Sequence, residues 1–260
     1  MVVDLDALER NIGEMAAVAS AAGVRLRPHT KTHKSPEIAR MQVEAGAAGI
    51  TVAKLGEAEV MADAGLEDLL IAFPLVGERK LTRLRELLER ADVRVSLDAV
   101  EVAEGVGRVG KDLGRDVPVL VEVDTGLLRM GRAAGDPSAR LALDIASVPG
   151  VAVVGLLTHA GHAYRASDPD ELRTIATREV LDLTDTAERC EREGSPSGRS
   201  ASDPPRPPGS PRRSPVSPRS APARTSSTMC SSCGWGSRPR RRARRGCLRP
   251  SSRGRPPNGS

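Results

Sequence analysis

Residues 25–34 read Arg25-Leu26-Arg27-Pro28-His29-Thr30-Lys31-Thr32-His33-Lys34 and hold two of the four histidines of the chain. The run from residue 24 to residue 30 predicts a strand, and the proline at position 36 predicts the first turn of a helix. A lysine at the carboxyl end of a strand, just before a helix, is where a (β/α)8 barrel places an amine nucleophile. The alternative is a polar loop with two solvated lysines.

The sequence around this stretch alternates between short apolar runs and helical patterns. Six strands are predicted, at residues 24–30, 49–53, 69–75, 93–98, 117–124 and 151–159. Residues 69–75 contain no polar side chain, as expected of a strand that is covered on both faces. Alternation of this kind predicts an α/β fold with a parallel sheet, and the short, evenly spaced strands favour a (β/α)8 TIM-type barrel over an open sheet. The barrel is incomplete, because the pattern stops after about six strands.

Helical patterns separate the strands, and the last of them is a long helix at about residues 170–192. Asp6, with Glu9 three residues later, predicts the start of the first helix as a capping box, and Gly23 predicts its end. After residue 193 the regular patterns disappear. We therefore expect a barrel domain at residues 1–193 and a disordered Pro/Arg/Ser/Gly-rich tail at residues 194–260.

Charge is distributed unevenly between these two parts. Residues 194–260 hold 15 Arg, no Lys and one acid, a net charge of +14, whereas residues 1–193 carry −9, which together give the +5 of the whole chain. No run approaches the roughly 18 apolar residues of a membrane span, and no signal peptide opens the chain, so we expect a cytoplasmic protein without membrane contact. Cys230 and Cys233 have zinc-site or redox spacing, but no second pair or nearby histidine accompanies them, so we predict no metal ligands.

Four ordered motifs give the chain a resemblance to a known family. They are the R-P-H-T-K-T-H-K run that ends at Lys34, L-G-E-A-E from Leu55, D-T-G-L-L-R-M-G from Asp124, and T-H-A-G-H-A-Y from Thr158. Together they resemble the D-threonine aldolase and D-serine dehydratase family, pyridoxal-phosphate enzymes of fold type III related to alanine racemase. The similarity extends from Val2 to about Glu193.

The resemblance implies a function and two cofactors. Lys31 would carry pyridoxal 5'-phosphate as a Schiff base, and the chain would be a lyase that acts on D-3-hydroxy amino acids, of the D-threonine aldolase type that yields glycine and an aldehyde. A D-serine dehydratase or an amino-acid racemase is the alternative. A divalent metal is expected in the intact family, but its ligands lie in a domain that this chain does not show. The resemblance also implies a homodimer.

The same motifs suggest further residues of the site. The match implies that Arg129 lies beside the cofactor, although a structural pairing with Asp124 is the alternative. His162 and Tyr164 follow the sixth strand and are candidates for proton transfer, with Tyr164 also contacting the cofactor. His29 would share the side of Lys31 and line the pocket, because it lies two residues away on a strand. His159 still lies within the predicted sixth strand and could be a hydrogen-bonded core histidine. Weaker candidates are Lys54 and Glu57, which a solvated face would explain about as well.

A shifted reading frame is our hypothesis for the origin of the tail. Back-translation of residues 199–211, read from the third base of each codon, allows V-S-V-G-S-T-P-T-A-R-L-A, and residues 215–230 allow G-V-T-E-V-R-P-G-T-Y-V-F-N-D-V. The first string resembles the strand and Gly/Ser/Thr turn that cradle the cofactor phosphate in the family, and the second resembles the next strand. A frameshift near residues 193–199 would therefore explain the tail and predicts impaired activity.

A non-enzymatic function is the competing interpretation. The arginine-rich tail could bind nucleic acid through phosphate charges, with an affinity that falls steeply as salt increases. Trp235 is its single aromatic residue, so the tail lacks side chains for base stacking. We therefore expect no nucleic-acid partner and a small D-amino acid as the substrate.

Overall fold

The structure, a computed structural model, describes residues 3–194 and residues 233–234. Seven α-helices lie in this part of the chain: Leu5–Ala21 (α1), Pro36–Glu44 (α2), Leu55–Asp63 (α3), Glu78–Leu88 (α4), Val100–Asp112 (α5), Asp136–Ala146 (α6) and Pro169–Gly194 (α7). A short 3₁₀ helix, Gly161–Arg165, precedes α7. None of the helices within the described ranges is long and apolar enough to cross a membrane.

The first helix begins two residues earlier than the capping pattern predicted. Asp4 is its N-cap, and the Asp4 carboxylate accepts a hydrogen bond of 3.0 Å from the backbone N–H of Ala7. The predicted start at Asp6 and Glu9 is therefore wrong, because Asp4 already satisfies a free N–H group of the first turn. The predicted end near Gly23 is confirmed.

Parallel strands form the sheet, as predicted. They are Ile50–Val52 (β1), Asp68–Ile71 (β2), Asp92–Leu97 (β3), Val117–Asp124 (β4), Arg132–Ala133 (β5), Val151–Leu157 (β6) and Cys233–Gly234 (β7). The strands β1, β2, β3, β4 and β6 lie side by side in that order and are all parallel. The short β5 pairs with the end of β4, and β7 runs antiparallel to β6. The α/β architecture and the incomplete barrel are thus confirmed for the described part of the chain.

The strand predicted at residues 24–30 is reduced to a single parallel bridge between His29 and Thr51. Pro28 has no N–H group to donate on one side of this bridge. On the other side the carbonyl oxygen of Thr30 accepts the N–H of Lys34, and the N–H of Ala53 donates to the Glu57 carboxylate. The prediction of a full strand was therefore wrong, and the backbone turns immediately after Thr30.

The two faces of the sheet are buried differently. One face packs against the helices and forms the main core, in which Ile71, Leu97 and Leu84 are fully buried. The opposite face carries a small separate cluster of Leu70, Leu120 and Leu157. Because side chains alternate along a strand, Glu122 projects from the same face as Leu120, two residues further along β4. A buried acid therefore lies close to the carboxyl edge of the sheet.

The tail predictions fall outside the described residues, apart from the two residues of β7. The domain boundary at residue 193, the disorder of residues 194–260 and the frameshift hypothesis all stay predictions. The helix α7 continues to Gly194, one residue past the predicted boundary.

Candidate functional site

Lys31 lies in the turn that follows the His29 bridge, at the carboxyl edge of the sheet, and its side chain is exposed. The backbone N–H of Lys31 donates a 3.3 Å hydrogen bond to Nδ1 of His29. Burial and the neighbouring positive charge of Lys31 lower the pKa of His29 from 6.5 to about 4, although Glu57 opposes this effect. The imidazole of His29 is thus neutral at physiological pH and fixes the turn that carries Lys31.

A second histidine near Lys31 is His159, which comes from the other end of the row of parallel strands. His159 follows the end of β6 and is partly buried. Burial lowers the pKa of His159, and the positive charges of Arg129 and Lys31 lower it further. His159 therefore lies within electrostatic reach of both cations and is kept neutral. These three residues are separated by as many as 128 positions in the sequence, and the parallel sheet brings them together.

Arg129 is carried by the loop of residues 125–131, which follows β4. The Asp124 carboxylate accepts hydrogen bonds from the N–H groups of Gly126 and Leu128, at 2.9 and 3.0 Å, and so fixes the start of this loop. At the other end the N–H of Gly131 donates to Asp98 over 3.3 Å. Asp124 therefore orders the backbone of the loop, and the exposed Arg129 side chain lies within electrostatic reach of Glu122.

Glu122 lies below that loop and is 5% exposed. Burial raises the pKa of its carboxyl group to about 7, against the lowering effects of Ser96 and of the positive charge of Arg129, whereas Asp98 raises it further. The Ser96 hydroxyl faces the carboxyl without the geometry of a hydrogen bond. Sequence reasoning missed Glu122, although it is the one acid that interrupts the apolar run of residues 117–123.

His162 is packed against the same loop from the other side. A methyl group on Gly126 would lie 3.3 Å from the His162 ring, so loop and ring are in close contact. The Nδ1 atom of His162 is buried without a hydrogen-bond partner among the described residues. Glu179, on α7, lies near His162, and burial raises the pKa of the Glu179 carboxyl group. Tyr164, by contrast, is 89% exposed, and its ring is turned to solvent.

The remaining polar residues of the motif have structural contacts. Nδ1 of His33 accepts the N–H of Ser35 over 3.1 Å, immediately before α2 begins. Lys34 pairs with Glu57 at 3.2 Å. Lys54 is the exposed N-cap residue of α3.

Two clefts lie beside this group of residues, and neither is lined by Lys31. One, of about 670 Å³, lies next to Lys34 and Glu57, and the other, of about 600 Å³, separates the loop after β4 from α7. We place the candidate site at the converging side chains of Lys31, His29, His159, Arg129 and Glu122, because charge and burial are concentrated there rather than in either cleft.

This group of residues fits an anionic, hydrogen-bonding cofactor with a reactive carbonyl. Lys31 supplies an exposed amine, Arg129 a second cation, and the neutral imidazoles can accept protons. The buried, unpartnered Nδ1 atom of His162 offers a further contact. Within residues 3–194 no group of three or more His, Cys, Asp or Glu side chains could hold a metal ion.

Comparison with known proteins gives consistent relatives. The sequence model of a family described as alanine racemase, N-terminal domain, matches residues 3–202. The chain is 37% identical over 196 residues to the D-threo-3-hydroxyaspartate dehydratase of Delftia sp. strain HT23, covering 75% of this chain and 52% of that protein. It is 37% identical over 161 residues to the D-threonine aldolase of Arthrobacter sp., covering 62% of this chain and 42% of that protein.

A solved structure shows the same architecture. The D-threonine aldolase from Filomicrobium marinum matches with a TM-score of 0.71 and 38% identity, over 75% of this chain and 53% of that one. The chain spans about half the length of the relatives that it matches.

Proposed function

Because the chain belongs to the alanine racemase N-terminal domain family, we propose that it binds pyridoxal 5'-phosphate through Lys31 and acts as a lyase on D-3-hydroxy amino acids. The observation that carries this proposal is the position of Lys31 at the carboxyl edge of a parallel sheet, the edge at which barrel enzymes bind their ligands. The positive charge of Lys31 acts on both the neutral His29 and His159, and the positive charge of Arg129 acts on His159 as well.

Each residue has a distinct task in this proposal. When bound, pyridoxal phosphate supplies an electron sink for the bond that breaks at the substrate Cα. Lys31 attaches the cofactor, and His29 orients the backbone of its turn through Nδ1. Arg129 provides a positive charge for an anionic oxygen of the cofactor.

Proton transfer is assigned to one imidazole, that of His159. His159 accepts a proton from the reacting amine or from the substrate, since burial keeps its ring neutral at physiological pH. His162 orders the loop that carries Arg129, through its contact with Gly126. For Tyr164 we propose a contact with the substrate or cofactor that involves its exposed phenol.

Retro-aldol cleavage to glycine and an aldehyde is the proposed reaction, and dehydration is the second candidate. One relative of each kind is 37% identical, the dehydratase over 196 residues and the aldolase over 161 residues. Incubation of the full chain with D-threonine and with D-serine distinguishes the two, because aldol cleavage releases glycine and an aldehyde whereas dehydration releases ammonia and a 2-oxo acid. Interconversion of enantiomers without either product would indicate a racemase.

Attachment to Lys31 is tested independently of turnover. The full chain is incubated with pyridoxal phosphate, reduced with borohydride and digested, and the modified peptide is located by mass spectrometry. We expect the label on Lys31 and its loss in Lys31→Ala, whereas Lys34→Ala, three residues away, keeps it. Equal labelling of Lys31→Ala and the unmodified chain would refute the proposal. Salt-sensitive nucleic-acid binding that survives Lys31→Ala, without labelling, would favour the non-enzymatic interpretation.

Three further properties are still predictions. A homodimer, a divalent metal at the substrate hydroxyl and a cytoplasmic location are expected from the resemblance and from the sequence. Equilibrium sedimentation tests the first of these, and metal removal during the product assay tests the second.

A further inference from the structure

We propose that Thr125 and Thr158 are positioning residues, because the hydrogen bond between their side chains joins two segments of the candidate site. One is the loop of residues 125–131, and the other is the histidine segment, residues 158–162. This inference rests on the proposed function, since it assigns the way in which the two segments hold their functional side chains in one arrangement. Neither threonine touches substrate or cofactor in this proposal.

The hydrogen bond lies where both segments leave the sheet. The hydroxyl oxygens of Thr125 and Thr158 are 2.9 Å apart. Thr158 is 1% and Thr125 9% exposed, so the bond is largely shielded from water. Thr125 directly follows β4 and Thr158 directly follows β6, and these two strands are neighbours in the sheet. A single side-chain contact therefore ties together the beginnings of the loop and of the histidine segment.

Two close approaches continue this contact beyond the threonines. A Cβ atom on Gly126 would lie 3.3 Å from Cε1 of His162, and a Cβ atom on Gly161 would lie 3.1 Å from Cδ2 of Leu127. Three successive residues of the loop thus contact the histidine segment. Both glycines leave little room for a side chain between the two segments, so displacement of one segment requires displacement of the other.

The functional side chains are attached to this contact from both sides. The N–H of Gly161 donates a 2.8 Å hydrogen bond to the carbonyl oxygen of His159, and a Cβ atom on Gly161 would lie 2.9 Å from Nε2 of His159. Gly161 therefore adjoins both the His159 ring and Leu127 of the loop. Arg129 lies two residues after Leu127, and its positive charge acts on His159.

The first measurement is urea denaturation of the full chain without cofactor, applied to Thr125→Val, Thr158→Val and the double variant. Each single substitution leaves the other hydroxyl buried without its partner, and we expect it to lower the folding equilibrium constant about tenfold. The double variant should lose no more than the worse single variant, since neither hydroxyl is left unpaired. Losses that simply add would overturn the proposal.

The second measurement is hydrogen exchange of the loop amides, again without cofactor. Thr158→Val changes the histidine segment alone, yet we expect it to accelerate exchange at the N–H groups of Gly126 and Leu128 about tenfold through local opening. Thr186→Val is the matched control, because it removes another buried hydroxyl, one that bonds the backbone of Asp182 and Gly135. Equal rates in the two variants would contradict coupling between the loop and the histidine segment.

The third measurement uses pyridoxal phosphate as the probe and asks whether Thr158 acts through Arg129. In the unmodified chain Arg129→Met should weaken binding about tenfold, the scale of one charged contact. In the Thr158→Val background the same substitution should cost less than about threefold, because Arg129 is already out of position. Thr158→Ser keeps the hydroxyl and should restore the full effect.

A tenfold effect of Arg129→Met in every background would refute a positioning role for the two threonines. If the chain takes up no pyridoxal phosphate at Lys31, the proposed function fails. The denaturation and exchange measurements still decide in that case whether the hydrogen bond couples the two segments.

Discussion

Substitution of Gly131 by alanine should separate the loop of residues 125–131 from β4. Two physical effects add at this position. An L-residue at φ +88° costs about 1–2 kcal/mol relative to glycine. The added Cβ would also lie 2.7, 2.8 and 2.9 Å from three backbone atoms of Glu122 and Asp124, which belong to β4 and cannot rotate away.

Relief of this clash requires that the loop moves, and crowding of this kind costs about 1–3 kcal/mol. The sum predicts a decrease of about 2–5 kcal/mol in the free energy of unfolding. The displaced loop would also lose the hydrogen bond from Gly131 to Asp98 and change the position of Arg129. Binding of pyridoxal phosphate should weaken together with stability.

The assay is urea denaturation of Gly131→Ala beside a control with the same backbone angle. Gly65 has φ +83°, and a Cβ atom there would have nothing within 4 Å, so Gly65→Ala measures the conformational cost alone. We expect Gly131→Ala to be the less stable variant by the contribution of the clash, and Gly65→Ala to bind the cofactor normally. Equal stability of the two variants would refute the reasoning that the loop is pressed onto β4.

Two further predictions concern stability. Asp68→Asn should destabilise the chain by about 2–3 kcal/mol, because it removes the carboxylate that pairs with both the buried Arg27 and the neighbouring Arg94. Asp63→Asn breaks an exposed ion pair with Arg90 and should cost less than about 1 kcal/mol. The denaturation midpoints of the two variants test this difference. The folded state should lose stability as pH falls from about 6.5 toward 4, because His29 has a lower pKa in the folded chain than in the unfolded chain. His29→Gln should reduce this loss when the denaturation midpoint is measured over a pH series.

Part of the site was predictable because it is encoded locally. Short sequence motifs contain Lys31, His29, Arg129 and His162. The structure places these residues at one edge of the sheet, and their roles stay proposals. Glu122 was missed, since a single acid in an apolar strand has no signal that separates a buried carboxyl from an exposed one. The exposure of Tyr164 was equally hidden, because the sequence does not state where a short helix points its side chains.

The sequence by itself determined the type and order of the elements. Apolar runs of strand length, separated by helical periodicity, specify a parallel α/β sheet, because each pattern can bury its apolar side chains in one way. The tertiary structure decided what happens at residue 30, where a hydrogen bond from Lys34 and the Glu57 carboxylate end the bridge that spacing alone predicted as a strand. It also decided which charges meet: the pKa values of His29 and Glu122 depend on burial and on neighbours from distant parts of the chain, and local sequence encodes neither.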